Sequence, residues 1–139
     1  MIALIDDPNT LLALGDAGAH VTSVTNYRYP SYVLSELVRA QGALSIERAV
    51  NRMTERPARL HGLADRGVLR PGFAADVCVI DPERIGVEPV EFVYDLPGGA
   101  YRLHQAGRGY RAVLVNGAVA IDEDRVTEVR SGRTLSARR

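Results

Sequence analysis

The chain has 139 residues, of which 46% are hydrophobic, and its 17 basic residues balance 17 acidic ones. This length suits one domain or two small lobes and is too short for a complete (β/α)8 barrel, which needs roughly 200 residues or more. The zero net charge and the lack of a long basic run argue against a nucleic-acid-binding surface. No lysine occurs, which excludes a Schiff base or a phosphate-binding-loop lysine from this chain.

The cysteine content and the N-terminal residues bear on the cellular compartment in which the protein is expected. Cys78 is the only cysteine, so no internal disulfide can form, as is typical of a reducing environment. The start of the chain lacks the basic and long apolar regions of a signal peptide. No apolar run approaches the roughly 18 residues of a membrane span. We therefore expect a cytoplasmic protein that contacts no membrane.

The first 29 residues contain a short apolar run followed by a glycine-rich segment. Leu11–Leu14 leads into Gly15–His20, a pattern that favours a buried strand opening into a loop at its C-terminal end. Four apolar residues alone leave a helix open as the alternative.

Residues 30–63 show helical spacing. One apolar face is formed by Val33, Leu34, Leu37 and Val38, and Gly42 is placed to end that helix. Ser45 is a good N-cap for a second helix.

A third, shorter helix is expected after the second. Pro57 can open it, because the missing N–H costs nothing at the first helical position, and Gly62 can end it.

The remaining residues, 64–139, have the turn signals of β-structure. Pro71-Gly72 predicts a type II turn, and Asp76–Asp81 predicts a buried strand. Asn116-Gly117 between two apolar runs predicts a hairpin with a type I′ turn. The glycines between residues 97 and 109 indicate a long loop region, and Asp122–Asp124 a solvated turn.

Asp16 and His20 are the candidates for chemistry in the glycine-rich loop. An acid at the C-terminal end of a buried strand lies where α/β folds place catalytic groups. Aspartate also forms Asx-turns and helix caps, and a loop histidine can be an ordinary surface residue, so spacing leaves both alternatives open. His61 and His104 are interpreted as structural or solvent-facing, and Cys78 as an inert core residue.

The segment Leu14–His20 resembles the end of the last barrel strand in metal-dependent amidohydrolases of the D-aminoacylase, or N-acyl-D-amino-acid deacylase, branch. Further segments resemble the same branch in the same order: Tyr29–Leu34 with Val38-Arg39, Leu44–Thr54 with Pro57-Ala58, Asp65–Asp76 with Val79–Asp81, Asp95–Gly99, and Val115–Gly117. The ordered set covers nearly the whole chain, and its order makes it specific.

The resemblance implies an α/β fold in which this chain is the C-terminal fragment of an amidohydrolase (β/α)8 barrel followed by part of a small β-sandwich lobe. Residues 1–63 would hold the last barrel strand, the active-site loop and the following helices, and residues 64–139 the β-sandwich lobe. In the family, the aspartate matching Asp16 takes a proton from the metal-bound water and returns one to the leaving nitrogen. His20 would be a neighbouring substrate-binding residue.

The same resemblance implies zinc in the complete enzyme. The family's metal-binding histidines and its cysteine- or lysine-type ligand belong to upstream strands that this sequence does not contain. A catalytic zinc takes about three protein ligands, so we expect no metal bound by this chain alone. Cys78 falls in the small-lobe segment and is not assigned as a ligand.

These inferences predict a hydrolase of linear amide C–N bonds other than peptide bonds, represented by its C-terminal portion and inactive alone. Its substrate would resemble an N-acyl amino acid, and Arg28 could meet the substrate carboxylate, with a plain surface arginine as the alternative. The competing hypothesis is a non-catalytic assembly or binding module derived from a truncated amidohydrolase. Apolar faces cut from their neighbours predict a homo-oligomer or a separate barrel-forming chain as partner.

Overall fold

A computed structural model describes residues 4–5, 7–12, 15 and 18–136, which combine helices and strands. The helices that follow a 3-10 turn at Asn26–Arg28 are α1 (Tyr29–Tyr32), α2 (Val33–Ala40), α3 (Ile46–Met53) and α4 (Glu55–Leu60). The strands are β1 (Val77–Ile80), β2 (Gly86–Val87), β3 (Glu91–Val93), β4 (Arg102–His104), β5 (Gly107–Arg108), β6 (Tyr110–Val115), β7 (Ala118–Asp122) and β8 (Arg125–Val126). No helix within this described part is long and apolar enough to cross a bilayer.

The first predicted helix is confirmed and is continuous over α1 and α2, of which α2 is π-helical. Its apolar face is buried at Val33, Leu34 and Leu37. Gly42 adopts a φ of 59°, and the next amide, Ala43 N–H, donates to the Leu37 carbonyl at 2.8 Å. Glycine reaches this left-handed conformation at little cost, so the helix ends where the sequence indicates.

The second predicted helix, α3, is also confirmed, with its cap. Ser45 Oγ accepts a hydrogen bond from Arg48 N–H at 3.2 Å, which satisfies one of the free amides of the first turn. The predicted start of the third helix is wrong. Helix α4 begins at Glu55, and Pro57 is its third residue, which is tolerated because first-turn amides have no acceptor within the helix.

The main sheet is antiparallel, with the strand order β1-β6-β7-β8. β1 lies where the sequence predicts it, but its predicted burial is wrong, because Cys78 and Val79 are exposed. β1 is an edge strand that pairs only with β6 in this sheet. The predicted turn at Pro71-Gly72 is confirmed by a hydrogen bond from Phe73 N–H to the Arg70 carbonyl at 3.1 Å.

The hairpin of β6 and β7 is confirmed, with Asn116 and Gly117 at φ values of 50° and 82°. Two successive residues with positive φ define a type I′ turn. The exposed turn at Asp122–Asp124 is confirmed as well, and it leads into β8.

The long loop predicted between residues 97 and 109 is partly wrong. β4 and β5 lie in this region and pair with β3 and β2, respectively, to form two small two-stranded sheets. Strands of two or three residues are too short to show an alternating pattern in sequence. The Pro97–Gly99 segment is a 3-10 turn at the tip of the β3–β4 hairpin.

The predicted strand at Leu11–Leu14 is not seen where the structure describes it. Leu11 and Leu12 have no regular secondary structure, and Ala13 and Leu14 lie outside the described residues. A strand exists only through hydrogen bonds to a neighbouring strand.

One apolar cluster joins the helices to the strands. Val33, Leu34, Leu37 and Ala49 pack with Ile85, which is only 2% exposed and lies between β1 and β2. The same segment is held by Arg39 on α2, whose Nη1 donates to the carbonyls of Pro82, Glu83 and Ile85 at 3.1, 3.0 and 2.7 Å. The joint between helices and strands is therefore both apolar and hydrogen-bonded.

Candidate functional site

Two of the site residues predicted from the sequence, Asp16 and His20, follow Gly15 along the chain. His20 is exposed, with a left-handed φ of 49°, and its carbonyl accepts from Ser23 N–H at 2.8 Å and Val24 N–H at 3.1 Å. These bonds fix the His20 backbone and leave its imidazole at the surface. Asp16 lies outside the described residues, so its role remains a prediction from the sequence.

Gly15 leads directly into Asp16 and lies against the backbone of Tyr27. A Cβ atom at position 15 would come within 2.6 Å of the Tyr27 Cα, closer than side chains tolerate. The absent side chain thus allows the start of the loop to pack against the turn that follows it. This contact explains why glycine precedes the candidate acid.

Arg28, the third predicted residue, is half-buried at the end of this segment. Its Nε lies 3.4 Å from Thr25 Oγ1, at the long end of hydrogen-bonding distance, and its guanidinium carbon lies 5.4 Å from the centre of the Tyr32 ring. In the part of the chain that the structure describes, Arg28 therefore contacts Thr25 and Tyr32 rather than His20. The guanidinium therefore lies over the face of the Tyr32 ring.

Gln105, which follows β4, contacts this segment although the sequence does not predict it as a site residue. It is buried, and its side-chain oxygen accepts from Thr25 Oγ1 at 3.0 Å while its side-chain nitrogen donates to the Glu88 carbonyl at 2.7 Å. Its backbone N–H donates to the Tyr27 hydroxyl at 2.8 Å. A lone glutamine belongs to no motif, so no sequence signal marks this connection.

The neighbouring strand β4 also contacts the loop. Leu103 N–H donates to the Val21 carbonyl at 2.7 Å. Arg102 makes a paired contact with Asp95, with Nε to Oδ1 at 2.8 Å and Nη2 to Oδ2 at 2.7 Å, and it approaches His104 Nδ1 at 3.4 Å. The hydrogen bonds from Arg102 hold the pKa of Asp95 below its ordinary value. His104 therefore sits half-buried on a strand that borders the candidate loop.

Cys78 is not the core residue that the sequence suggests. It is exposed on β1, at a shallow groove of about 520 Å³ that Val50, Val68 and Leu69 also line. Partial desolvation there raises the pKa of the thiol. His61 is exposed just after α4.

A catalytic metal needs several converging donor side chains. Among the residues that the structure describes, no three of the histidine, cysteine, aspartate and glutamate side chains come together in a way that could hold a metal ion. This part of the chain therefore does not fit a zinc site by itself.

Comparison with known proteins identifies the family. The model of the amidohydrolase family matches residues 2–121 of this chain. The chain belongs to the amidohydrolase family. It is 35% identical to the N-acyl-D-aspartate deacylase of Alcaligenes xylosoxydans xylosoxydans over 104 aligned residues. These residues make up 75% of this chain and 19% of that protein.

Solved structures of amidohydrolases resemble this one. A crystal structure of D-aminoacylase matches 77% of this chain and 21% of its own, with a TM-score of 0.58 and 32% identity. The Bordetella bronchiseptica N-acyl-D-glutamate deacylase, solved with zinc and a phosphonate inhibitor, matches 65% of this chain and 17% of its own, with a TM-score of 0.50 and 39% identity. The resemblance to the D-aminoacylase branch is confirmed, and this amidohydrolase chain spans about a fifth of the length of these relatives.

Proposed function

We propose that this chain is the C-terminal portion of a metal-dependent hydrolase that cleaves the linear amide bond of N-acyl-D-amino acids. The observation that carries the proposal is the amidohydrolase match over residues 2–121, together with relatives that are named as deacylases of N-acyl-D-amino acids. Residues 1–63 would contribute the last barrel strand and its helices, and residues 64–139 a β-sandwich lobe. The single cysteine supports a reducing, cytoplasmic compartment.

Asp16 is the proposed proton shuttle. A carboxylate in this position accepts a proton from the attacking water and returns it to the leaving nitrogen as the C–N bond breaks. Glycine at position 15 supports this assignment, because it lets the chain approach Tyr27 closely immediately before the acid. His20, which is exposed four residues beyond Asp16 along the chain, would contact the substrate.

Arg28 is the proposed partner of the substrate carboxylate. The planar guanidinium pairs with carboxylates through two parallel hydrogen bonds, which selects for a free amino-acid carboxyl group. Its contacts with Thr25 and the Tyr32 ring hold the group in one orientation before substrate arrives.

We propose zinc as a cofactor of the complete enzyme and not of this chain alone. The described residues do not fit a zinc site, so the ligands would come from other parts of the enzyme. We expect the 139-residue chain alone to bind no zinc tightly and to hydrolyse no N-acyl-D-amino acid. Metal analysis and a deacylation assay, with and without a barrel-forming chain, test this directly. Stoichiometric zinc with turnover by the isolated chain would contradict it.

The substitution Asp16→Asn tests the shuttle in the assembled enzyme. Asparagine keeps the shape but cannot accept and return a proton, so turnover should fall by about 10²- to 10⁴-fold while the melting temperature stays close to that of the parent. Asp122→Asn, which changes an exposed aspartate on β7, is the matched control and should leave turnover unchanged. Parental turnover of Asp16→Asn would refute the shuttle, and a large loss of thermal stability would assign Asp16 a structural role.

Exposed apolar side chains indicate that this chain associates with another chain. Such association is expected both for a portion of a hydrolase and for the non-catalytic binding module. Phe92 and Tyr94 are each more than 60% exposed, and both rings contact Tyr101, with ring centroids 5.4 and 6.1 Å apart, so the three rings form one exposed apolar patch. Surfaces of this kind mark contacts with another chain. We propose that the chain prepared alone self-associates, and that in the enzyme a barrel-forming chain covers these groups.

Sedimentation at micromolar concentration measures the association. We expect a mass above the 15.1 kDa of one chain. A single species at that mass, with a cooperative unfolding transition, would contradict self-association. Assembly without any deacylation, even when a barrel-forming chain is supplied, would favour the non-catalytic binding module.

A further inference from the structure

We propose that Gln105 is a positioning residue through which the strand region holds the loop that carries His20. The inference rests on the proposed function only for the catalytic importance of that loop. Gln105 itself is assigned no contact with substrate. Its role is to connect three separate segments of the chain: the turn at residues 25–27, the backbone at residue 88, and β4.

The burial and bonding of Gln105 support a fixed role. The residue is 8% exposed, and its side-chain amide is used at both ends, by Thr25 Oγ1 at 3.0 Å and by the Glu88 carbonyl at 2.7 Å. A buried amide with both ends bonded has one favoured orientation, because any rotation leaves a desolvated polar atom without a partner. Gln105 therefore ties the Thr25 side chain to a strand-region backbone that does not belong to the loop.

Two further contacts carry this constraint to the loop. The Gln105 N–H donates to the Tyr27 hydroxyl at 2.8 Å, and the Tyr27 backbone is the surface against which Gly15 packs. Two residues before Gln105, Leu103 N–H donates to the Val21 carbonyl, one residue beyond His20. β4 and the residue that follows it thus contact the chain after His20 directly and the chain before it through Tyr27.

Thr25 also links this connection to Arg28. The Thr25 hydroxyl donates to Gln105 and lies 3.4 Å from the Nε of Arg28, so one small side chain stands between the proposed carboxylate-binding residue and the buried amide. Loss of the hydroxyl should release both. Serine retains the hydroxyl and valine retains the shape without it, which makes position 25 a precise place to test the connection.

The experiment uses the 139-residue chain without substrate and follows amide hydrogen exchange and the ring-proton resonances of His20 by NMR. We expect Thr25→Val and Gln105→Met to speed exchange of the Ser23, Val24 and Leu103 amides by about tenfold, as for a lost buried hydrogen bond. The His20 resonances should shift in both variants. Thr25→Ser should restore parental exchange and parental resonances.

Tyr110→Phe is the matched control, since it removes the 2.7 Å hydrogen bond between Tyr110 and Ser31, which also joins a strand to a helix. It should leave the loop amides and His20 unchanged. Parental signals in Thr25→Val would overturn the inference, as would an equal change in Tyr110→Phe. If Gln105→Met does not fold, the Thr25→Val and Thr25→Ser pair decides. Because no substrate is present, failure of the deacylase proposal in the turnover assay remains a separate result.

Discussion

The helical region and the strand region of this amidohydrolase differ in how they use their apolar residues. The helices bury Val33, Leu34 and Leu37 and receive Ile85 from the strand region into the same cluster. The β3–β4 hairpin instead leaves Phe92 63% exposed, with Tyr94 and Tyr101 beside it. Among the described residues, the apolar core therefore lies where the helices meet the strands, and the β3–β4 hairpin presents apolar surface outside that core.

The largest loss of stability is expected from a substitution where the helices meet the strands. Gly109 has a φ of 84°, and a Cβ atom there would lie 2.5 Å from the Ile85 backbone nitrogen. Gly109→Ala should therefore cost about 2–6 kcal/mol, from left-handed strain and from overlap at the core. Urea unfolding measures the loss. Gly132→Ala, where nothing lies within 4 Å, is the control and should change stability by less than about 0.5 kcal/mol.

A paired truncation measures the difference between the two regions directly. Leu37→Ala should cost about 2–4 kcal/mol, because it opens a cavity in the shared cluster. Phe92→Ala should cost less than about 1 kcal/mol in the isolated chain, since most of the ring already faces water. Thermal unfolding of both variants tests this. Equal losses would show that the hairpin is part of the same core.

The smallest expected effect concerns the ion pair that braces the exposed hairpin. The hydrogen bond from Arg102 lowers the pKa of Asp95 from its ordinary value of 3.8. Because the pKa of Asp95 is lower in the folded than in the unfolded state, the ion pair stabilises the fold above the unfolded-state pKa. This stabilisation is lost as the pH falls through the folded-state pKa. Parent and Asp95→Asn should thus differ slightly in melting temperature at pH 6 and converge near pH 2. A constant difference across that range would exclude the pair as the cause.

The sequence predicted the parts of the fold that local chemistry decides. Ser45, Gly42 and Asn116-Gly117 each act through their own backbone or that of close neighbours, and each lies in the conformation expected of it. The family resemblance, carried by an ordered set of short segments, is also confirmed. In both cases the signal lies in residues near each other along the chain.

The rest depends on partners that are distant in sequence. Pairing of β3 with β4 joins residues about ten positions apart with no alternating pattern to indicate it, and the exposure of Cys78 depends on what covers an edge strand. In the candidate site, the sequence supplied Asp16, His20 and Arg28, of which the structure describes the latter two. It could not supply Gln105, because that residue matters through a hydroxyl 80 positions away.

The hydrogen bonds from Arg39 to the segment between β1 and β2 do not depend on the side chains of that segment. All three acceptors are main-chain carbonyls, so the side chains at positions 82, 83 and 85 play no part in the hydrogen bonds. The polar half of the joint is encoded at one position on the helix and at none on the segment it holds. Pro82 and Glu83 can thus vary without loosening this attachment, provided that the backbone keeps its path, whereas replacing Arg39 removes every one of these bonds at once.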